Sequence, residues 1–464
     1  MAVPDPTPAA QAAPGHATPR FVSGSPLRHV AVMSGTGAIG LIAVFLVDLI
    51  NLFYISMLGQ ESVAAAVGFA GVVGFFQLSF CIGLMIAIAA VVSRAIGAGQ
   101  LHEARRIATT SLILMGVACA LVALATYAFL GPLLSLLGAV DDTHAQAYLY
   151  LQISLVSVPA LGLAMGCSAL LRAVGDAKRA MNVTLLGALV TAVLDPVLIF
   201  GLGLDLKGAA IASVVARLSM LAVALYGVLR AHRLLGRFEP KYFARDSARL
   251  GQVAGPSILA NLATPFAAAF VTHFIADFGP AAVAGQATIE RLTPVAFGLV
   301  YALSGAVGPI FGQNLGAGRI DRVQQTLRAS LGFMALVVGG AWLILAIGQQ
   351  AVILAFSAEG LTAELIALFC TSLAASFFFI GALFVANAAF NNLGHPLYSM
   401  GFNWARATLG TVPFAYVGAR YGAAGVLIGP AIGAVLFGSL AIWTAFRLTA
   451  RLAAKAKTEP RESR

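Results

Sequence analysis

Apolar residues run in long unbroken stretches along this chain, and polar residues collect between them. A helix needs about 20 predominantly apolar residues to cross the hydrocarbon core of a bilayer. Six stretches of that size fall in the first half, over residues 31–58, 62–93, 107–133, 146–172, 181–203 and 208–231. Six more fall in the second, over 252–277, 281–312, 326–354, 362–391, 397–418 and 422–448. The runs are continuous and lack the alternating segments of about ten residues that a membrane β-barrel requires. The pattern predicts an all-α polytopic membrane protein with twelve transmembrane helices.

Lys and Arg in the connections set the expected orientation, because basic loops stay in the cytoplasm. One set of connections carries Arg94, Arg105 and Arg106, then Arg172, Lys178 and Arg179. It continues through Arg230, Arg233, Arg237, Lys241, Arg245 and Arg249 to Arg319, Arg322 and Arg328. The opposite set holds little beyond Lys207 and Arg420, with Gly59–Glu61 and Gly279–Ala281 bare of Lys and Arg. The weak point is Asn391–Pro396, which offers only His395. The alternation predicts a multi-pass inner (plasma) membrane protein with both termini in the cytoplasm.

The two halves resemble each other. Ile96-Gly97-Ala98-Gly99 recurs as Leu315-Gly316-Ala317-Gly318, and 316 − 97 is 219. Gly175 matches Gly394 at the same offset, and Lys207-Gly208-Ala209-Ala210 resembles Tyr421-Gly422-Ala423-Ala424. Equivalent points lie six spans apart, so the copies share one membrane orientation. This implies two six-helix lobes related by a pseudo-two-fold axis along the membrane normal, with a cleft between them. The expected organisation is a disordered tail over 1–27, an N-lobe over 28–231, a linker over 232–250, a C-lobe over 251–448 and a basic tail over 449–464. Neither Gly-Ala-Gly loop continues into a phosphate-binding Gly-Lys-Ser/Thr, so both read as tight turns.

Composition agrees with this picture. The 464 residues are 60% hydrophobic and only 10% charged, against about 25% charged in an average soluble domain. The net charge of +10 belongs to cytoplasmic loops and not to nucleic-acid binding. Cys81, Cys119, Cys167 and Cys370 all fall in apolar runs and read as small buried hydrophobes. Asp141-Asp142-Thr143-His144 resembles half of an acidic metal site, but no second acidic motif answers it, so a membrane enzyme is not expected.

The chemistry lies in the polar residues left inside the apolar runs. An ionised Asp costs about 2.5–3.5 kcal/mol at a helix centre on insertion scales. Asp48 lies in Leu46-Val47-Asp48-Leu49-Ile50-Asn51, and Asp195 in Leu194-Asp195-Pro196-Val197. Both are expected to line one polar cavity in the N-lobe and there to exchange a proton or hold a cation. Pro196 removes a backbone donor and bends its helix. Asn51 shares a helix face with Asp48. Glu290, Arg291, Gln286, Gln77 and Asn261 are candidates for the substrate cavity or its gating. Arg217 and Arg406 read as snorkelling or paired cations, and His273 as a packed or cavity histidine.

These motifs resemble the multidrug and toxic compound extrusion (MATE) transporters over essentially all twelve spans. They include Val47-Asp48, Ser93-Arg94-Ala95-Ile96-Gly97-Ala98-Gly99, Leu194-Asp195-Pro196 and Gly208-Ala209-Ala210-Ile211-Ala212. The most specific is Gly312-Gln313-Asn314-Leu315-Gly316-Ala317-Gly318. The resemblance implies two lobes in a V and antiport of cationic or amphipathic compounds against H⁺ or Na⁺, without a cofactor. It implies a DNA-damage-inducible-like subgroup whose carboxylates match Asp48 and Asp195. Thr191 stands where that subgroup has Asn, Ser213 supplies a hydroxyl, and Tyr150 or Tyr148 matches a span-four tyrosine. The alternative is a flippase for lipid-linked oligosaccharides, which Arg217, Arg291 and Arg406 keep open. A small-molecule substrate and a monomer are expected, with no nucleic-acid partner.

Overall fold

A computed structural model describes residues 18–57 and 61–458. The first half holds α1 (Pro26–Met57), α2 (Glu61–Gly97), α3 (Leu101–Ala128), α4 (Leu130–Leu136), α5 (Asp141–Leu155), α6 (Val158–Ala173), α7 (Ala177–Pro196) and α8 (Asp205–Tyr226). The second holds α9 (Pro240–Ala276), α10 (Pro280–Ala296), α11 (Gly298–Gly316), α12 (Ile320–Ala355), α13 (Gly360–Thr371), α14 (Phe377–Asn392), α15 (Pro396–Ala405), α16 (Val412–Ala419) and α17 (Ala423–Thr458). No strand occurs among the described residues. An all-helical solution is what a bilayer demands, since each helix satisfies its own backbone groups.

Several expected spans are interrupted. Among the described residues, nine helices are long and apolar enough to cross a membrane, and eleven if two bent pairs each count once. The pairs are α5 with α6, bent by 50°, and α10 with α11, bent by 51°. Prolines lie beside both breaks, at Pro159 and Pro294, where the missing N–H weakens the helical ladder. The expected span at 362–391 divides into α13, a 3₁₀ turn over Leu373–Ser376, and α14. The one expected at 397–418 is helical but divided, because a π-helical segment, Arg406–Thr411, separates α15 from α16.

Three boundaries also move, and residues 1–17 and 459–464 of the expected tails lie outside the described residues. Residues 18–25, expected in a disordered tail, are part of the fold, and Phe21 is only 3% exposed. The expected linker 232–250 is helical from Pro240 onward, as the first turns of α9. The expected basic tail continues α17 as far as Thr458.

Backbone geometry strengthens the case for duplication. Gly99 and Gly318 both have φ near +70°, and Gly175 and Gly394 both lie above +80°. Gly138 with Ser357, Asp141 with Gly360, and Gly203 with Gly422 are further left-handed pairs, each separated by the same 219 positions. The third sequence match is corrected accordingly: Gly422 answers Gly203, while Gly208 sits inside α8. Left-handed residues end helices and open turns, so the two halves turn at equivalent points.

The buried apolar residues form two large cores, one centred on each half, and the helices lace across between them. Val30 and Met33 of α1 join the second core, whereas Leu250, Val253 and Ala254 of α9 join the first. The closest approach between halves lies on the arginine-rich face. A Cβ on Gly97 would strike the backbone of Gln313, and one on Gly316 would strike the carbonyl of Arg94. These repeat-related glycines let α2 and α11 touch backbone to backbone. The Arg94 guanidinium donates to the Asn392 carbonyl in the same region.

The segment before α1 closes over this junction. The Phe21 N–H donates to Gln313 Oε1 at 2.9 Å, while its carbonyl accepts from Asn314 and from Arg322. Gln313 also donates to the Ala173 carbonyl at 2.7 Å. One residue pair of α11 therefore ties together the entering chain, the end of α6 and the start of α12. On the same face Asp176 caps α7. Burial opposes its charge, but His232 and Arg179 hold its carboxyl well below the usual carboxylate range.

Overpacking a close helix contact costs about 1–3 kcal/mol. Gly97→Val is expected to lower the melting temperature of the purified protein in detergent. Gly255→Ala, where nothing lies within 4 Å of the added Cβ, is expected to leave it unchanged.

Candidate functional site

The sheltered carboxyl group is Asp195, the penultimate residue of α7, which is 1% exposed. Pro196 ends the regular helix, and Val197–Gly201 continues as a π-helical turn. Such widened turns often mark functional positions, because they release backbone groups and re-aim side chains. The bend expected at Pro196 thus takes the form of a change in helical winding.

α1 packs along α7 and supplies the partner. Asn51 Nδ2 donates to Asp195 Oδ2 at 2.9 Å. Asp195 Oδ1 is buried and accepts no hydrogen bond among the described residues. Asp48, three residues before Asn51, is exposed, yet near enough for its charge to act on Asp195. Asp48, Asn51 and Tyr54 recur at helical spacing, and Tyr54 meets Phe200 of the π-helical turn edge to face with centroids 5.8 Å apart. The site is therefore a carboxyl pair with one amide donor and an aromatic wall. One carboxyl is enclosed and the other opens outward. The 48-51-54 spacing in the sequence points to Tyr54, whereas nothing in the sequence singles out Phe200.

The other first-half candidates lie elsewhere. The Thr191 hydroxyl donates to the Gly187 carbonyl at 3.1 Å, satisfying itself on its own helix. Ser213 is half-buried on α8 and makes no hydrogen bond among the described residues. Tyr150 packs against the first core within electrostatic reach of Arg217, and Tyr148 stacks on His144. Arg217 is a packed cation: its guanidinium donates to the Ser154 carbonyl at 3.1 Å and to the Ser157 hydroxyl at 3.0 Å. Gln77 is buried and donates to Thr126 Oγ1 at 3.5 Å, bridging α2 to α3.

In the second half, Gln286 holds a small polar network. Its amide donates to Thr272 Oγ1 at 3.1 Å and to Glu290 Oε1 at 2.9 Å. Glu290 and Arg291 are both exposed, and no ion pair joins them. Asn261 spends its donor on the Ser257 carbonyl of its own helix, and His273 packs on Phe274. Arg406 opens the π-helical segment between α15 and α16, with a buried Nε that has no partner. Tyr301 of α11 is its electrostatic neighbour, and Tyr301 packs on Phe384 of α14. Asn387, one turn beyond Phe384, carries a buried, unpartnered Oδ1.

Long apolar helices laced between two cores, with a buried carboxyl group held between α1 and α7, define a polytopic helical membrane protein. The MatE family model matches residues 38–197 and 256–417. The chain is 30% identical to the FAD transporter of Shewanella oneidensis over 423 residues, covering 90% of this chain and 93% of that one. It is 23% identical to the multidrug export protein MepA of Staphylococcus aureus, covering 64% of this chain and 67% of that one. The Vibrio cholerae MATE transporter VcmN in its bent form matches with a TM-score of 0.86 at 25% identity, covering 93% of this chain and 98% of that one. The chain belongs to the MATE family of membrane transporters and is not an enzyme.

Removing the donor to a buried acceptor costs about 1–3 kcal/mol. Asn51→Ala is therefore expected to lower the melting temperature of the purified protein at neutral pH. An unchanged melting curve would show that this bond does not hold α1 against α7.

Proposed function

We propose that this protein is a secondary antiporter that exports amphipathic, including cationic, compounds in exchange for H⁺, with Na⁺ as the alternative ion. The observation that carries the proposal is the Asp48–Asn51–Asp195 arrangement. Asp195 is enclosed, one of its oxygens is held and the other is free to take a proton or a cation, while the exposed Asp48 stands one turn before Asn51 on α1. A buried acceptor left open within an apolar span suits a group that must load and unload. Loading would alter the contact between α7 and α1 beside the π-helical turn, and so reshape the cavity of the first half. We assign the protein to the DNA-damage-inducible-like subgroup on the same pair of carboxyls. The arginine-rich face is taken as cytoplasmic, and the working unit as a monomer of two six-helix lobes.

A second reading concerns the substrate. Arg406 lies inside the second half with no carboxylate bonded to it among the described residues. A cation at that depth calls for a counter-charge. An amphipathic substrate with an anionic group would supply one, and a 30% identical relative is a FAD transporter. The lipid-linked-oligosaccharide alternative draws on the same feature.

The test is transport in sealed proteoliposomes with H⁺ and Na⁺ gradients imposed separately. Asp195→Asn is expected to abolish gradient-driven efflux of a fluorescent cation, and undiminished efflux would remove the carboxyl pair from the mechanism. In the same vesicles Arg406→Gln is expected to slow export of FAD while sparing the fluorescent cation. Equal rates for FAD in the two proteins would reject the anionic reading.

A further inference from the structure

Three arginines surround a cavity of about 570 Å³ on the basic face of the first half, and no carboxylate answers them. The cavity is lined by Arg105 at the start of α3, Leu229 and Arg230 in the π-helical turn after α8, and Arg233 and Leu235 beyond it. The local chain is built to hold them there. Gly236 donates its N–H to the Arg105 carbonyl at 3.3 Å, and its own carbonyl accepts from Thr109 Oγ1 at 3.0 Å. A side chain on Gly236 would crowd Arg105. Arg233 adopts a left-handed backbone with φ of +48°, an uncommon state for a non-glycine residue. That turn lays the segment 232–236 over Arg105, whose Nε is buried without a hydrogen-bond partner.

The surrounding acids are already engaged. Glu103 contacts Arg106, Arg245 and Arg249, and Asp246 is bound by Arg106. Asp176 is taken by Arg179 and His232, and Glu239 faces His102. Among the described residues Arg105, Arg230 and Arg233 are left with no ion pair. The wall beside them is apolar and faces outward: Leu229 is 48% exposed and Tyr226, one turn earlier, is 65% exposed. Tyrosine collects at the level of lipid headgroups, and a basic pocket at that level suits an anionic headgroup with its acyl chains against the helix.

We propose that this cavity binds the phosphate of an anionic phospholipid from the leaflet on the arginine-rich face. The guanidiniums hold the phosphodiester oxygens, and Leu229 and Tyr226 line the path of the glycerol and acyl chains. The bound lipid would brace the junction between α3 and the irregular segment that leads to α9.

The test uses the full chain purified from mixed phosphatidylglycerol and phosphatidylcholine bilayers, with retained lipid read by native mass spectrometry. The wild type is expected to keep phosphatidylglycerol in preference to phosphatidylcholine. Arg230→Gln with Arg233→Gln, both exposed positions, is expected to weaken that retention on the order of 25-fold, about fivefold for each charge. Adding Arg105→Gln is expected to bring the loss to roughly 100-fold. Arg328→Gln with Arg451→Gln removes equal charge elsewhere and is expected to change nothing. Equal loss in that variant, or no lipid preference in the wild type, would overturn the proposal. Displacement of the lipid by an equal concentration of inorganic phosphate would likewise overturn it, by making a free anion the occupant.

Discussion

The half-buried Asn51 amide meets the buried Asp195 carboxyl where α1 packs on α7. Polar groups in a membrane interior find their partners within the protein or in a wet cavity. This one bond therefore fixes which face of α1 meets which face of α7. It also leaves the second oxygen of Asp195 uncommitted, and an uncommitted acceptor beside a second carboxyl is chemically different from a finished structural pair. Packing position and capacity to load thus come from the same two side chains.

The opposite requirement rules the arginine-rich face, where the two halves must touch firmly. Side chains are removed there and not added. Gly97 and Gly316 allow backbone contact, and the amides of Gln313 and Asn314 collect carbonyls from chain segments far apart in sequence. Arg322 adds a charged donor to the same carbonyls of Phe21 and Ser23. Closure at this end is backbone-driven and specific. The carboxyl pair stands apart from it, toward the far ends of α1 and α7.

Much of this was legible in the sequence because bilayer physics is severe. Long apolar runs announce helices, and Asp48 and Asp195 stand out because so few charges share their runs. The repeat was visible through glycines that need left-handed backbone. What escaped had a different origin. The break inside residues 362–391 leaves no gap in hydropathy, since the 3₁₀ turn Leu373–Ser376 lies within an apolar run, and the break inside 397–418 is a change of helical winding at Arg406–Thr411 and not a loop. Thr191 and Tyr150 rest on resemblance alone, and no pattern in the sequence shows that the Thr191 hydroxyl bonds the Gly187 carbonyl of its own helix. The ordered stretch around Phe21 is short and surrounded by Pro and Ala. Its partners lie some 290 residues away, beyond the reach of any local pattern.

The crossed lacing of the cores bears on how the chain is made. The first core is completed by Leu250, Val253 and Ala254 of α9, and the second borrows Val30 and Met33 of α1. The first half is therefore synthesised with one wall missing, and α1 is sealed in only when α11 and α12 are in place. Assembly inside the bilayer ends as a single mutual event, in which each half finishes the other.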